Sequence, residues 1–386
     1  MRVRRLVVLP VLALLATTLS AAGCRADEPG RTAAPALQVG VVADGLDHPW
    51  EVAELPTGEL LVTQRERRAL TLVDPATGTH RDLRFPSASV WARGETGLLG
   101  LAVDPQFSAN RRIYTCAGWR LAGGRHDIRV IAWTLDAGLT RATAVRTLLT
   151  GLPSNSIGRH GGCRLLVMRN GALVVGTGDA AKGRNPQSLR SLGGKVLRLD
   201  RTTGRAWPTN PWADRKGKRR YILSYGHRNV QGLAQRADGT LWSVEHGSYR
   251  DDEINLIRKR GNYGWNPVPG YNEERPMTDQ RLPGKQLAAR WRSGDPTIAP
   301  SGAAFVRGAA WGRYDGALAV AVLKDQRLLF VRFNRKGVLR WTAAPTELRR
   351  FGRLRDVTAA RDGALLVTTD NGDGHDVLLR VRPTPG

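Results

Sequence analysis

Six times along this chain an apolar run, a glycine-containing turn and a second apolar run follow one another, and this recurrence restricts the fold more than any other feature. The units occupy 50–73, 97–117, 162–179, 230–257, 300–333 and 355–381. The pairs Thr57-Gly58, Asn170-Gly171, Asp238-Gly239 and Asp362-Gly363 supply the positive φ that tight hairpins require. Helical periodicity is almost absent, so each unit reads as paired strands. Roughly 350 residues serve six repeats, just under about 60 each, which suits a blade with its loops. The pattern therefore predicts an all-β chain, a six-bladed β-propeller of four-stranded antiparallel blades, closed so that few edges are left open. An open sandwich pair and a parallel β-helix compete, but hairpins rather than single short rungs favour the propeller. Polar motifs between the apolar runs should converge at the mouth of its channel.

The N-terminus lies outside the repeats. Arg2, Arg4 and Arg5 precede an apolar stretch from Leu6 to Leu19, and Ala21-Ala22-Gly23 then lead into Cys24. This is the pattern of a secretory signal over 1–23. Its ending resembles a bacterial lipobox, which implies cleavage before Cys24 and a diacylglycerol on its sulfur; the competing reading is an ordinary signal with an incidental cysteine. A tether over 24–40 leads to the propeller domain at 41–386. An exported chain, facing the outside or the periplasm and anchored in the membrane at Cys24, is the expectation. Export allows Cys116 and Cys163 to pair, although spacing alone does not bring their Cα atoms together, and two buried thiols are the alternative. The net charge is +25 with only eight lysines, so the excess is arginine. These arginines are scattered, with no basic helix or aromatic-interleaved stripe, so nucleic acid is not an expected partner. Attraction to anionic lipid or wall polymer is a simpler account of the charge, and compositional drift toward arginine is simpler still.

Two polar segments stand out between the apolar runs. Residues 158–165, Gly-Arg-His-Gly-Gly-Cys-Arg-Leu, put His160 in a glycine-rich loop ahead of the third unit. A histidine there is a candidate general base, or else caps the loop by bonding to backbone. Residues 226–265 hold Arg228, Asn229 and Gln231, then Glu245-His246-Gly247 and Asp251-Asp252-Glu253. Guanidinium and amide groups suit a polyanion, and oxygen donors suit a hard cation. The acidic run taken alone also fits a solvated turn, and Asp179, which ends the third unit, fits an ordinary turn aspartate.

Over about 45–382 these motifs, in their order, resemble the glucose/sorbosone dehydrogenase family, and most closely its aldose sugar dehydrogenase branch. That resemblance implies a soluble quinoprotein using pyrroloquinoline quinone (PQQ) and calcium. The expected reaction is oxidation of an aldose at its anomeric carbon to a lactone, with hydride passing to the quinone and electrons leaving to an unnamed acceptor. His160 takes the role of base, Asp179 orients it, and Arg228 lies beside the reactive quinone carbonyl. Asn229, Gln231, Lys324, Arg353 and Arg355 complete the cofactor cradle. The carbonyls of Gly247 and Ser248 match ligands of the calcium that also binds PQQ. Glu253 and the Tyr263 carbonyl match a second, structural calcium. At the calcium site Ser248 stands where proline is usual, a change that a carbonyl ligand survives; the substrate side departs from the pattern, with Glu95 where the glucose enzymes have glutamine and Arg159 where they have an acid. Those departures keep a second expectation in view, a non-catalytic propeller that binds a sugar or a partner at the cell surface. A propeller lactonase or esterase is a third, and the cationic set speaks against it.

Overall fold

The computed structural model describes residues 33–384; the expected signal, Cys24 and the tether up to residue 32 lie outside the described residues. Six four-stranded antiparallel sheets follow one another around the chain. Blades 1 to 5 take consecutive strands, within 49–82, 98–152, 162–225, 230–292 and 300–343. Blade 6 joins Leu354–Ala359, Leu365–Thr369 and Asp376–Pro383 to Leu37–Leu46 from the other end of the chain. Residues 37–40, read from the sequence as the end of the tether, are thus part of a strand, with Leu37 opposite Pro383. The innermost strands of neighbouring blades touch all the way round, blade 6 meeting blade 1. This is the six-bladed propeller that the repeat predicts.

Burial explains why the strand sequences are continuous apolar runs rather than alternating ones. Leu60–Gln64, Ala172–Thr177 and Leu318–Val322 are buried at every position, because each sheet is covered on both faces by its neighbours. The core is accordingly six apolar clusters, one between each pair of adjacent blades. Cys116, on the second strand of blade 2, and Cys163, at the start of blade 3, are joined as a disulfide with Cα atoms 5.8 Å apart. It therefore crosses one of these interfaces. Among the described residues no helix is long and apolar enough to cross a membrane.

In every blade the pairing of the innermost strand slips once near its N-terminal end. The slips fall at Trp50, Leu99-Gly100, Cys163, Gln231, Ser301-Gly302 and Arg355. A bulge of this kind breaks the alternation and re-aims a side chain. Innermost strands of a ring run in the same direction, so all six bulges face one end of the channel.

Below that level a charged cluster links three blades. Arg164 donates to Asp356 Oδ1 at 2.8 Å, lies 3.1 Å from Glu51 Oε1, and stacks over the Trp50 ring at 4.0 Å. The cluster ties blades 3, 6 and 1 together. A cavity of about 720 Å³ begins beneath it and is otherwise lined by the far ends of the innermost strands. Burial, with the Arg164 charge opposing it, pushes Glu51 up to about 8, so Glu51 stays protonated at neutral pH. The folded state then holds a proton that the unfolded chain releases above the ordinary value of 4.5. This contribution to stability is complete below about 4.5, declines as pH rises and is gone above about 8. Glu51→Gln should flatten that decline, as measured by denaturant unfolding across pH 5 to 9.

Candidate active site

First and second strands of a blade are antiparallel, so the start of each first strand and the end of each second strand lie at the same mouth of the channel. That register gathers Gln231 and Arg355 from strand starts, and Arg65, His246 and Asp370 from just past second-strand ends. With Glu95 and Arg353 they line a cavity of about 390 Å³.

The candidate base stands beside it. His160, with φ 55°, ends the loop between blades 2 and 3 and is 3 % exposed. A Cβ on Gly178 would fall 2.0 Å from the His160 carbonyl oxygen, so glycine is needed beneath this turn. His160 Nδ1 lies 2.8 Å from Asp179 Oδ1, and Asp179 Oδ2 accepts from Trp265 Nε1 at 2.8 Å and from the Tyr271 hydroxyl at 2.7 Å. Burial and the Asp179 charge push the Tyr271 hydroxyl far above its ordinary range, so it remains a donor. Asp179 receives donor-only N–H groups at both oxygens, Ala181 N–H at Oδ1 and Trp265 Nε1 at Oδ2, which puts the shared proton on His160 Nδ1 and leaves Nε2 as the basic nitrogen. The sequence-expected pair of His160 and Asp179 is thus brought together, while Trp265 and Tyr271 were not foreseen.

From the base a chain of amides runs to the cations. Glu95 Oε2 accepts from the His160 backbone N–H and from Asn229 Nδ2, both at 3.1 Å. Gln231 Nε2 donates to Asn229 Oδ1 at 3.0 Å, and Gln231 Oε1 accepts from Arg355 Nη1 at 3.3 Å. Arg355 is clamped by Asp370, whose carboxyl burial alone would raise but the Arg355 and Arg65 charges hold below its ordinary value. Arg353 Nε donates to the Asp370 carbonyl at 3.1 Å. Arg228 sits opposite, its backbone N–H on Glu245 Oε2 at 2.9 Å and its guanidinium 5.6 Å from the Trp265 ring centroid. Lys324 is exposed, past the end of the second strand of blade 5, and belongs to the rim rather than to the cavity wall.

Several polar atoms in this region are buried without a hydrogen-bond partner: Arg65 Nε, Arg228 Nε, His246 Nε2 and Asp370 Oδ1. Burial first, then the charges of Arg355 and Arg228, hold His246 well below its ordinary value, so it is neutral. Three guanidinium groups and a neutral imidazole around one cavity suit a planar group with several carboxylates. Sequence reading missed Arg65, His246 and Asp370 as site residues; their one signal is that each follows directly on the end of a second strand.

The metal-binding candidates are also placed by blade 4. Gly247 and Ser248 follow His246, and a Cβ on Gly247 would meet the Arg250 carbonyl oxygen at 2.1 Å. Asp252 is fully buried and Glu253 is 1 % exposed, so this acidic run is no solvated turn. Asp252 accepts from the backbone N–H groups of Gly247, Ile298 and Ala299, at 2.8, 2.6 and 3.0 Å, and pins the loop to blade 5. Glu253 faces Glu245 across the strand pair, and burial with that neighbouring carboxylate pushes it up to about 8. Asn255 Oδ1 is a buried acceptor without a donor, on the side chain whose amide nitrogen donates to both carboxylates. A surplus of buried oxygen acceptors of this kind suits a hard cation. Tyr263 stacks on His227 at 4.5 Å, and His227 bonds to Glu245 at 2.9 Å, which puts Tyr263 next to the same cluster.

Comparison with known proteins identifies the family. The family model for glucose/sorbosone dehydrogenase matches residues 46–380. The chain is 32 % identical over 367 residues to the aldose sugar dehydrogenase YliI of Escherichia coli K12, covering 91 % of this chain and 94 % of that one. The apo-form crystal structure of soluble aldose sugar dehydrogenase from Escherichia coli matches with a TM-score of 0.80 at 31 % identity, over 90 % of this chain and all of the other. The PQQ-bound aldose sugar dehydrogenase of Streptomyces coelicolor matches with a TM-score of 0.75 at 30 % identity, over 91 % and 99 %. By a match that spans nearly the whole described propeller, this chain belongs to the glucose/sorbosone dehydrogenase family.

Proposed function

We propose that the protein is a PQQ- and calcium-dependent aldose dehydrogenase that oxidises a sugar at its anomeric carbon to the lactone. The observation that carries this reading is the Asp179-oriented base His160 standing beside a cavity walled by Arg65, Arg353 and Arg355, with Arg228 close by. When bound, PQQ supplies an ortho-quinone that accepts the hydride lost from the sugar. Arg65, Arg353 and Arg355 would hold its carboxylates, Asn229 and Gln231 its amide-facing edge, with Lys324 at the rim. Arg228, with a free buried Nε, would face the oxygen on which negative charge develops. The carbonyls of Gly247 and Ser248 would bind the active-site calcium, and Glu253 with the Tyr263 carbonyl the structural one.

The chemistry assigned to the chain itself is a proton transfer. His160 Nε2 takes the proton of the anomeric hydroxyl, and Asp179, bonded to Nδ1, stabilises the imidazolium that forms. Tyr271 and Trp265 occupy the other carboxylate oxygen, which keeps Asp179 from rotating away. The electrons leave afterwards to an acceptor outside the chain. Export through the N-terminal signal and anchoring by lipid at Cys24 belong to the same proposal, on the sequence pattern alone.

The test is direct. Purified protein mixed with PQQ, with and without calcium, should bind the cofactor and reduce a redox dye when glucose or another aldose is added. Absence of PQQ binding would end this reading, and binding without turnover would favour the non-catalytic propeller.

A further inference from the structure

The segment 257–290, between the third and fourth strands of blade 4, brings two side chains to the base. Tyr271 bonds to His160 Nδ1 at 3.0 Å and to Asp179. Two residues on, Glu273 reaches the arginines on either side of the base. Arg159 Nη2 donates to both Glu273 oxygens, at 2.8 and 2.7 Å, and Arg228 Nη2 donates to Oε1. The Arg159 guanidinium also lies 5.5 Å from the Tyr271 ring centroid. The loop thus brings a carboxylate next to the base, and Arg159 holds it. Burial on its own would raise Glu273, but the hydrogen bonds from Arg159 and Arg228 outweigh it and keep the carboxyl below its ordinary value. It is therefore ionised at neutral pH, and at 33 % side-chain exposure it is open to a ligand.

We propose that Glu273 is the specificity-determining carboxylate of the sugar site, accepting hydroxyl hydrogen bonds from a neutral aldose and, by occupying Arg159 and Arg228, denying those cations to sugars that carry a carboxylate. This rests on the dehydrogenase reading above. An ionised acceptor gives a hydroxyl a stronger bond than a neutral one, and a second carboxylate facing it is disfavoured by like charge. Without Glu273, Arg159 and Arg228 would meet the sugar as unshielded cations, and the preference should reverse toward acidic sugars.

The experiment uses the full chain loaded with PQQ and calcium, with glucose and glucuronate as probes. Glu273→Ala should raise KM for glucose about 10- to 100-fold, the range of one lost hydrogen bond to a charged group, with kcat changed by less than about threefold. The ratio of kcat/KM for glucuronate over glucose should rise at least about tenfold. Glu273→Gln, which keeps the shape and removes the charge, should show the same rise in the ratio with a smaller loss on glucose. PQQ affinity, followed by quenching of tryptophan fluorescence, should stay within about threefold in both variants. An unchanged KM and ratio in variants that bind PQQ would overturn the proposal, and so would loss of PQQ binding, which would make Glu273 a cofactor or folding residue. A wild-type protein that binds no PQQ or oxidises no aldose would instead remove the reading beneath it.

Discussion

Replacing His160 by alanine should lower kcat by about 10²- to 10⁴-fold, the usual contribution of a positioned general base, and leave PQQ bound. The two effects separate because His160 is outside the arginine set that lines the cavity, and its Nδ1 is committed to Asp179 at 2.8 Å. The substitution removes the basic Nε2 together with the Nδ1 bond to Asp179, and leaves the arginines of the cavity wall in place. Stopped-flow measurement of sugar-dependent cofactor reduction reads the first effect, and titration of PQQ into the variant reads the second. A variant that reduces the cofactor at the wild-type rate would exclude His160 as the base. One that no longer binds PQQ would place the imidazole in the cradle instead.

The largest effect on stability is expected at Arg164, which no catalytic argument requires. Arg164 is 2 % exposed, and its guanidinium is bonded to Asp356 and to the Gln231 carbonyl and lies close to Glu51. Arg164→Met would leave Asp356 buried without its cation, a change that costs about 3–5 kcal/mol when one partner of a buried pair is removed. Thermal unfolding should show a large fall in the midpoint. Adding Asp356→Asn to the same variant should recover part of the loss, because the uncompensated charge goes with it. A fall no larger than that of an exposed arginine, for which Arg215 serves as the control, would mean that the blades are held by apolar packing alone.

The fold was legible because each blade interface needs apolar residues on both faces of the inner strands, and that demand writes continuous hydrophobic runs into the sequence. The outer strands carry no such mark. His80–Asp82 is exposed throughout and Trp291–Arg292 is two residues long, so neither interrupts the polar character of its surroundings. Leu37–Leu46 alternates with polar and small residues because its outer face meets solvent, and its first residues read as tether. The site divides in the same way. His160, Asp179, Arg228 and Gln231 sit against strand ends inside short motifs, where type and position are both informative. Tyr271 and Glu273 come from a long irregular segment with no period to fix their direction; its length was the available signal, since long ordered connections are usually functional. Arg65 was lost among the many arginines of the chain. The pairing of Cys116 with Cys163, left open by spacing, was settled by their meeting across two blades.

The six bulges make the two mouths of this ring unequal. Each blade contributes a residue outside the regular pairing, always at the same end, so a side chain there can be exchanged without disturbing the ladder that holds its sheet. Trp50, Gln231 and Arg355 have already been turned over to the cavity in this way. The blades can therefore be altered one at a time on that face, and chemistry can diverge around a scaffold whose register never changes.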